Sequence, residues 1–195
     1  MTLLAPLPSL PLSCIHVDSP LGELLLAASE EALVGAYFEG QRSLPAEASE
    51  WSRAPDHPVL SRARAQLAEF FMDARATFDL PLAAAGTDFQ RRVWGELLTI
   101  PRGAVRSYGD VARAMGLPHA SRAVGAAIGR NPISLFIPCH RVIGATGALT
   151  GYAGGLDRKR KLLELEGFRS VPYLRVVAHD GSHPLAEQGQ PGIRP

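Results

Sequence analysis

From Leu12 to Phe38 apolar positions come in short runs with a two-residue period. Leu12–Val17 alternates weakly, Asp18-Ser-Pro-Leu-Gly22 reads as a turn, and Glu23–Ala28 and Leu33–Phe38 follow across a polar connection near Ser29-Glu-Glu31. That pattern predicts antiparallel hairpins. Residues 40–57 are polar and Pro-containing and read as a loop. From Pro58 to about Ala74 the period lengthens: Leu60, Ala63, Leu67, Phe70 and Phe71 approximate the 3.6-residue repeat of an amphipathic helix. Phe78 to Gly86 is Ala-rich and broken by Pro81, which marks a boundary.

Helical signals dominate beyond it. Thr87-Asp-Phe-Gln90 has the spacing of a capping box, and Phe89, Val93, Leu97 and Ile100 form a stripe beside Trp94 and Leu98, ended by Pro101. Ser107-Tyr-Gly-Asp110 repeats the signal before a short helix to Met115. Gly116-Leu-Pro-His119 is a tight turn, and Ser121–Gly129 is a second short helix, so the pair has the outline of a helix-turn-helix. Ala123, Ala126 and Ala127 give the second helix small side chains, which suit close approach either to a flat surface or to another helix. Asn131-Pro132 is a turn, Ile133–Ile137 a short apolar run and Gly144–Gly155 a Gly-rich stretch holding Tyr152; a last helix covers about Asp157–Glu166 and stops at Gly167. The expected class is α/β plus α: a small antiparallel-sheet α/β domain over 1–82, a helical domain over 83–168, and a mobile tail over 169–195 in which Val171–Val177 is a candidate strand.

Composition adds little until it is divided. The 195 residues are 46% hydrophobic and 20% charged, with net charge +1, and no run of eighteen apolar residues exists. This is the profile of a soluble globular chain without a membrane span, and Met1–Leu12 lacks the basic start of a signal peptide, so a cytoplasmic protein is expected. Residues 1–88 carry −7, while residues 89–168 carry twelve basic side chains, mostly Arg, against five acids, giving +7. A polyanion would meet the second half, where guanidinium forks match phosphate geometry. Two cysteines, Cys14 and Cys139, are too few for a disulfide scaffold, and with His16 they fall short of a structural zinc set, so no metal is expected.

The chemistry centres on Pro138-Cys-His-Arg-Val142. A thiolate is a strong nucleophile, and His140 and Arg141 as adjacent cations would favour it; an extended segment would turn neighbouring side chains apart, leaving any base relation to run through water. Glu166 is a candidate to orient His140. Read singly, Cys139 is equally an inert buried thiol, Asn131 a turn former, Tyr108 a packing residue and Glu166 a solvated helix end. Three readings stay open: a cysteine nucleophile working on DNA, a non-catalytic lesion-binding or winged-helix regulatory module, and a cysteine hydrolase with a Cys139–His140–Glu166 relay.

The Pro138–Val142 motif resembles the active-site motif of the methylated-DNA–protein-cysteine methyltransferases, or O6-alkylguanine-DNA alkyltransferases. Phe89–Trp94, Ser107-Tyr108, Ser121–Pro132 with its Arg-Ala-Val-Gly core, and Gly151-Tyr-Ala-Gly-Gly155 running on to Glu166-Gly167 agree in order and spacing. The resemblance covers about 85–168 strongly and 10–84 loosely.

That resemblance implies a ribonuclease H-like first domain and a winged-helix-like second. It implies single-turnover transfer of an alkyl group, mainly methyl, from O6 of guanine to Cys139, with O4 of thymine as a second candidate target. His140 is similar to the residue that relays the thiol proton through water, Glu166 to the carboxylate holding that histidine, and Asn131 to the brace beside the cysteine. Tyr108 resembles the hydrogen-bond donor to N3 of the flipped base, and Arg122 the arginine that fills the vacated stack. Ser121, Ala123, Ala126, Ala127, Arg130, Arg141, Thr87 and Arg106 fall where DNA contacts are expected, in the minor groove. Val142, Tyr152, Ala153 and Gly154 fall on the substrate pocket. No cofactor is implied, and a monomer is expected. Ala153 replaces a hydroxyl residue of some relatives, removing one hydrogen bond to O6. Damage-binding relatives lack the cysteine that this chain keeps.

Overall fold

The computed structural model describes residues 11–41, 43–73 and 77–168. Three strands, β1 (Ser13–Val17), β2 (Leu24–Ala28) and β3 (Leu33–Phe38), form the expected antiparallel meander, with Val17 opposite Leu24 and Leu24 opposite Phe38. The β1–β2 turn closes through Gly22 N donating to Ser19 O at 3.0 Å, with Gly22 at φ +103, a conformation glycine adopts without a Cβ penalty. Every residue of β3 is buried. A strand covered on both faces needs no polar alternation, and Leu33–Phe38 carries no charged residue.

The expected loop over 40–57 contains more than a loop. A short 3₁₀ helix spans Ala46–Glu50, and β4 (Ser52–Arg53) pairs parallel to β1, so the sheet order is β3-β2-β1-β4 and the sheet is mixed. Two exposed residues carry no readable period.

Helix α1 (Pro58–Phe71) opens with Pro in its first turn and buries Leu60, Ala63, Leu67 and Phe70 against the sheet, as its stripe predicted. The stretch 78–86 is no free linker. Leu33 N donates to Pro81 O and Ala83 N to Leu33 O, laying Leu82 beside the outer edge of β3. Further along that edge, Ala36 N donates to Pro132 O and Ser134 N to Ala36 O, each at 2.9 Å. The outer edge of β3 is thus covered by the 81–83 stretch and by 132–134 from the second half.

The helices of that half follow their caps. α2 (Asp88–Leu97) and α3 (Tyr108–Ala114) both start with reciprocal capping boxes, Thr87 with Gln90 and Ser107 with Asp110. α4 (Ser121–Gly129) packs on α2 and α3, and Trp94, fully buried, donates from Nε1 to Ala127 O at 2.9 Å. β5 (Arg106–Ser107) and β6 (Val142–Ile143) form a small parallel ribbon, and α5 (Leu156–Leu165) is the last helix described. One apolar core runs from Ile15 through Phe38, Leu67, Trp94 and Ile137 to Leu162. The tail over 169–195, with its candidate strand Val171–Val177, lies outside the described residues, as do residues 1–10 of the apolar start.

Candidate active site

α4 ends at Gly129, and the chain from Asn131 to Ile143 is buried throughout. Asn131 organises it. Its Nδ2 donates to Ile137 O at 3.0 Å and to Cys139 Sγ at 3.1 Å, and its Oδ1 accepts from Ile133 N at 3.0 Å. Leu135 sits at φ +73, an uncommon conformation for a residue with a branched side chain. Neighbouring bonds, with β3 holding Ile133 and Ser134, over-determine it.

Cys139 to Arg141 form a 3₁₀ turn, not the extended segment expected. The turn sends His140 and Arg141 together toward Glu166. His140 Nε2 lies 3.0 Å from Glu166 Oε1, Arg141 Nε donates to Oε2 at 2.8 Å and Nη2 to Oε1 at 2.7 Å, and Arg141 Nη1 donates to Ile100 O at 2.6 Å. Glu166 follows the last turn of α5, where the helix dipole disfavours an anion. Burial also pushes its carboxyl up, but the His140 and Arg141 hydrogen bonds outweigh both effects and hold it at about 2. Burial keeps His140 neutral, against the opposing pull of Glu166. A neutral ring beside an ionised carboxylate carries its proton on Nε2, leaving Nδ1, which is buried without a hydrogen-bond partner in the protein, as the basic nitrogen.

The expectation that His140 and Arg141 act as two cations on the thiol is therefore corrected: one is neutral and the other is committed to Glu166. Burial raises the Cys139 thiol, and what favours the thiolate is the Asn131 hydrogen bond, then the Lys159 ammonium, then backbone N–H groups. Lys159 is fully buried and donates to the carbonyls of Val142 and Thr150, the latter at 2.6 Å; burial brings it down to about 8. Sequence reasoning passed over Lys159. The signal was present, since Lys159, Leu162, Leu163 and Glu166 fall at i, i+3, i+4 and i+7 on the inward stripe of α5.

Cys139 retains 4% exposure and lies within electrostatic reach of Tyr108 and Tyr152. Both tyrosines line an open cleft with Gly40, Arg122, Gly125 and Arg158. Tyr108, the first residue of α3, donates its hydroxyl to Thr150 O at 2.9 Å and reaches Gly151 O at 3.3 Å. Tyr152 hydroxyl is buried beside Ser134, and burial pushes its ionisation well above the usual value. Ser121, Ala153 and Gly154 also border the cleft. Val142 does not: it is fully buried in the core, its carbonyl accepting from Lys159, and its expected place on the pocket wall is corrected.

Arg122, Ala123, Ala126 and Arg130 are exposed along one side of α4, with two cations framing small residues. Two expected DNA contacts are corrected. Ala127 is buried against Trp94, and Arg141 is buried with its guanidinium consumed by Glu166 and Ile100. Arg106 is half-buried and paired with Glu96 at 2.5 Å, while Thr87 is exposed with its hydroxyl used in the α2 cap. Among the described residues no group of three or more His, Cys, Asp or Glu is placed to hold a metal ion, and no helix is long and apolar enough to cross a membrane.

Comparison with known proteins adds a separate line. Residues 88–168 match the family described as 6-O-methylguanine DNA methyltransferase, DNA binding domain, and residues 12–84 match the ribonuclease-like domain of the same name. The chain is 49% identical over 154 residues, 79% of its length and 92% of the relative's, to the methylated-DNA–protein-cysteine methyltransferase of Mycobacterium tuberculosis H37Rv. It is 47% identical over 151 residues to the protein of that name from Methanosarcina acetivorans, covering 77% of this chain and 95% of that one. The crystal structure of Mycobacterium tuberculosis OGT in complex with DNA superposes with a TM-score of 0.76 at 48% identity, over 80% of this chain and 93% of that chain.

Proposed function

Because this chain belongs to the methylated-DNA–protein-cysteine methyltransferase family, we propose that Cys139 is the acceptor in a reaction whose outline the family supplies. The protein repairs DNA by moving an alkyl group from O6 of guanine to one of its own cysteines, in a single turnover. The observation that carries the assignment to Cys139 is its sulfur, held by Asn131, next in the chain to the His140–Glu166 pair and within reach of a cleft bordered by Arg122.

The duplex lies against the exposed side of α4, with Ala123 and Ala126 allowing close approach in the minor groove and Arg130 near the backbone. The damaged guanine turns out of the stack into the cleft, and Arg122 takes its place. There the base meets Tyr108, whose hydroxyl exchanges the Thr150 and Gly151 carbonyls for N3 of guanine. His140 Nδ1 receives the thiol proton, through water. The thiolate sulfur then forms a bond to the alkyl carbon as the carbon–O6 bond breaks, the electron pair of that bond passing to the base; Tyr108 supplies a proton at N3 and regains one from solvent, to which His140 releases the thiol proton. The product is a thioether with no step that restores the thiol. The alkyl group arrives with the lesion, so no diffusible cofactor is called for. We read the protein as a cytoplasmic monomer whose two domains meet near residues 82–83.

Titration with a duplex carrying one radiolabelled O6-methylguanine tests this reading. Label transferred should plateau at one methyl per chain. Product released repeatedly per chain would point to a hydrolase instead.

A further inference from the structure

The wall of the cleft is a loop, residues 150–155, and it is fastened at both ends. At its start, Thr150 O accepts from Tyr108 and from Lys159. At its far end, Gly154 O accepts from Arg158 Nη1 at 3.0 Å. The same guanidinium reaches across to the N-terminal sheet. Its Nε donates to Leu21 O at 2.8 Å in the β1–β2 turn, Nη1 also reaches Glu39 O at 3.4 Å just beyond β3, and its carbon sits 4.7 Å from the centre of the Phe38 ring. One side chain thus joins residues 21, 38–39 and 154. A planar fork with five N–H donors can serve several acceptors at once, which a lysine ammonium on a flexible stem does poorly.

The fit around this fork is close. A Cβ on Gly22 would lie 3.1 Å from Arg158 Nη2. A Cβ on Gly154 would lie 2.7 Å from the Tyr152 ring and 3.1 Å from Phe38, so the loop backbone is pressed between them. Gly40, two residues beyond β3, and Arg158 both border the cleft, so the chain leaving the N-terminal sheet contributes to its rim.

We propose that Arg158 is a positioning residue that anchors the 150–155 wall to the N-terminal sheet and so sets the size of alkyl group admitted beside Cys139. This rests on the reading that the cleft receives the damaged base. The N-terminal half, remote from the sulfur in sequence, acquires a role in substrate selection through this one side chain. Arg158 works through Gly154 and Tyr152, not on the reacting atoms.

Arg158→Met keeps the stem and removes the fork. Single-turnover transfer from O6-methylguanine duplex should slow by about tenfold, the scale expected when a positioned group drifts by a fraction of an ångström. Transfer from O6-benzylguanine duplex should slow less, raising the benzyl-to-methyl ratio. Hydrogen exchange should quicken in peptides covering 150–155 and 19–22 and stay unchanged over α2. Arg158→Lys should resemble Arg158→Met. An unchanged ratio, unchanged exchange in the loop, or full rescue by Lys would overturn the proposal. So would a weakened, less salt-dependent affinity for undamaged duplex, which would make Arg158 a phosphate contact. The exchange measurement needs no alkyl transfer, so it fails or succeeds independently of the assignment of Cys139.

Discussion

Asn131 and Cys139, eight residues apart, are joined by a hydrogen bond from the amide Nδ2 to Sγ at 3.1 Å, and the same amide closes the loop between them through Ile137 and Ile133. One side chain therefore shapes the turn and favours the ionised sulfur. Asn131→Ala should lower stability by about 2–4 kcal/mol, because buried partners are left unsatisfied. It should also move Cys139 ionisation to higher pH. Chemical denaturation and the pH dependence of iodoacetamide labelling measure the two effects. An unshifted labelling profile would detach Asn131 from the nucleophile.

Arg141 holds Glu166 and not DNA. Removing one partner of a buried ion pair typically costs about 3–5 kcal/mol, and Arg141→Met is expected in that range, with the salt dependence of duplex binding unchanged. Glu166 shares the acid limit with His140, whose buried neutral ring gives up stability as pH falls below its ordinary 6.5. The folded Glu166 value of about 2 lies below the ordinary carboxylate value of 4.5, so its stabilisation is complete above the latter and is lost as pH falls toward 2. Without the guanidinium that depression shrinks, and the acid-unfolding midpoint of Arg141→Met should move to higher pH. A reduced salt slope with an unmoved acid midpoint would restore Arg141 to the DNA surface.

Arg122 is exposed at the start of α4 and takes part in none of the ion pairs among the described residues. Arg122→Ala should weaken duplex binding, lower the slope of log affinity against log salt by about one, and slow transfer from damaged duplex. Free O6-benzylguanine, which needs no extrusion from a stack, should react at the parental rate. Equal slowing on free base and duplex would contradict a stack-filling role.

Lys159 links the pH profile to the buried cation. The Lys159 ammonium and the Cys139 thiolate each favour the other's charged form, so the two titrate together as a pair. Lys159→Met should therefore raise the pH at which Cys139 ionises, read from thiolate absorbance in the ultraviolet. Identical titrations for variant and parent would show that the carbonyls of Val142 and Thr150, not the sulfur, are its whole business.

The sequence made its best showing where local rules decide. The capping boxes at Thr87 and Ser107 and the bounds of α4 follow from short-range chemistry, and Pro138–Val142 marked the cysteine. What escaped depends on distant chain. β4 and the β5–β6 ribbon are two-residue pairings whose partners lie far along the chain. The direction of Arg141 is set by a 3₁₀ turn and by Glu166, twenty-five residues away. Arg158 went unremarked because its acceptors, Leu21 and Glu39, lie more than a hundred residues away. Charge patterning pointed to the right half of the chain but could not separate cations facing solvent from those consumed inside.

Mass spectrometry of the peptide containing Cys139, after incubation with O6-methylguanine duplex, bears most directly on the account. The peptide should gain the mass of one methylene in proportion to lesion lost, with the gain absent in Cys139→Ser and from the peptide containing Cys14. Lesion loss with an unmodified Cys139, or a gain on another residue, would contradict it.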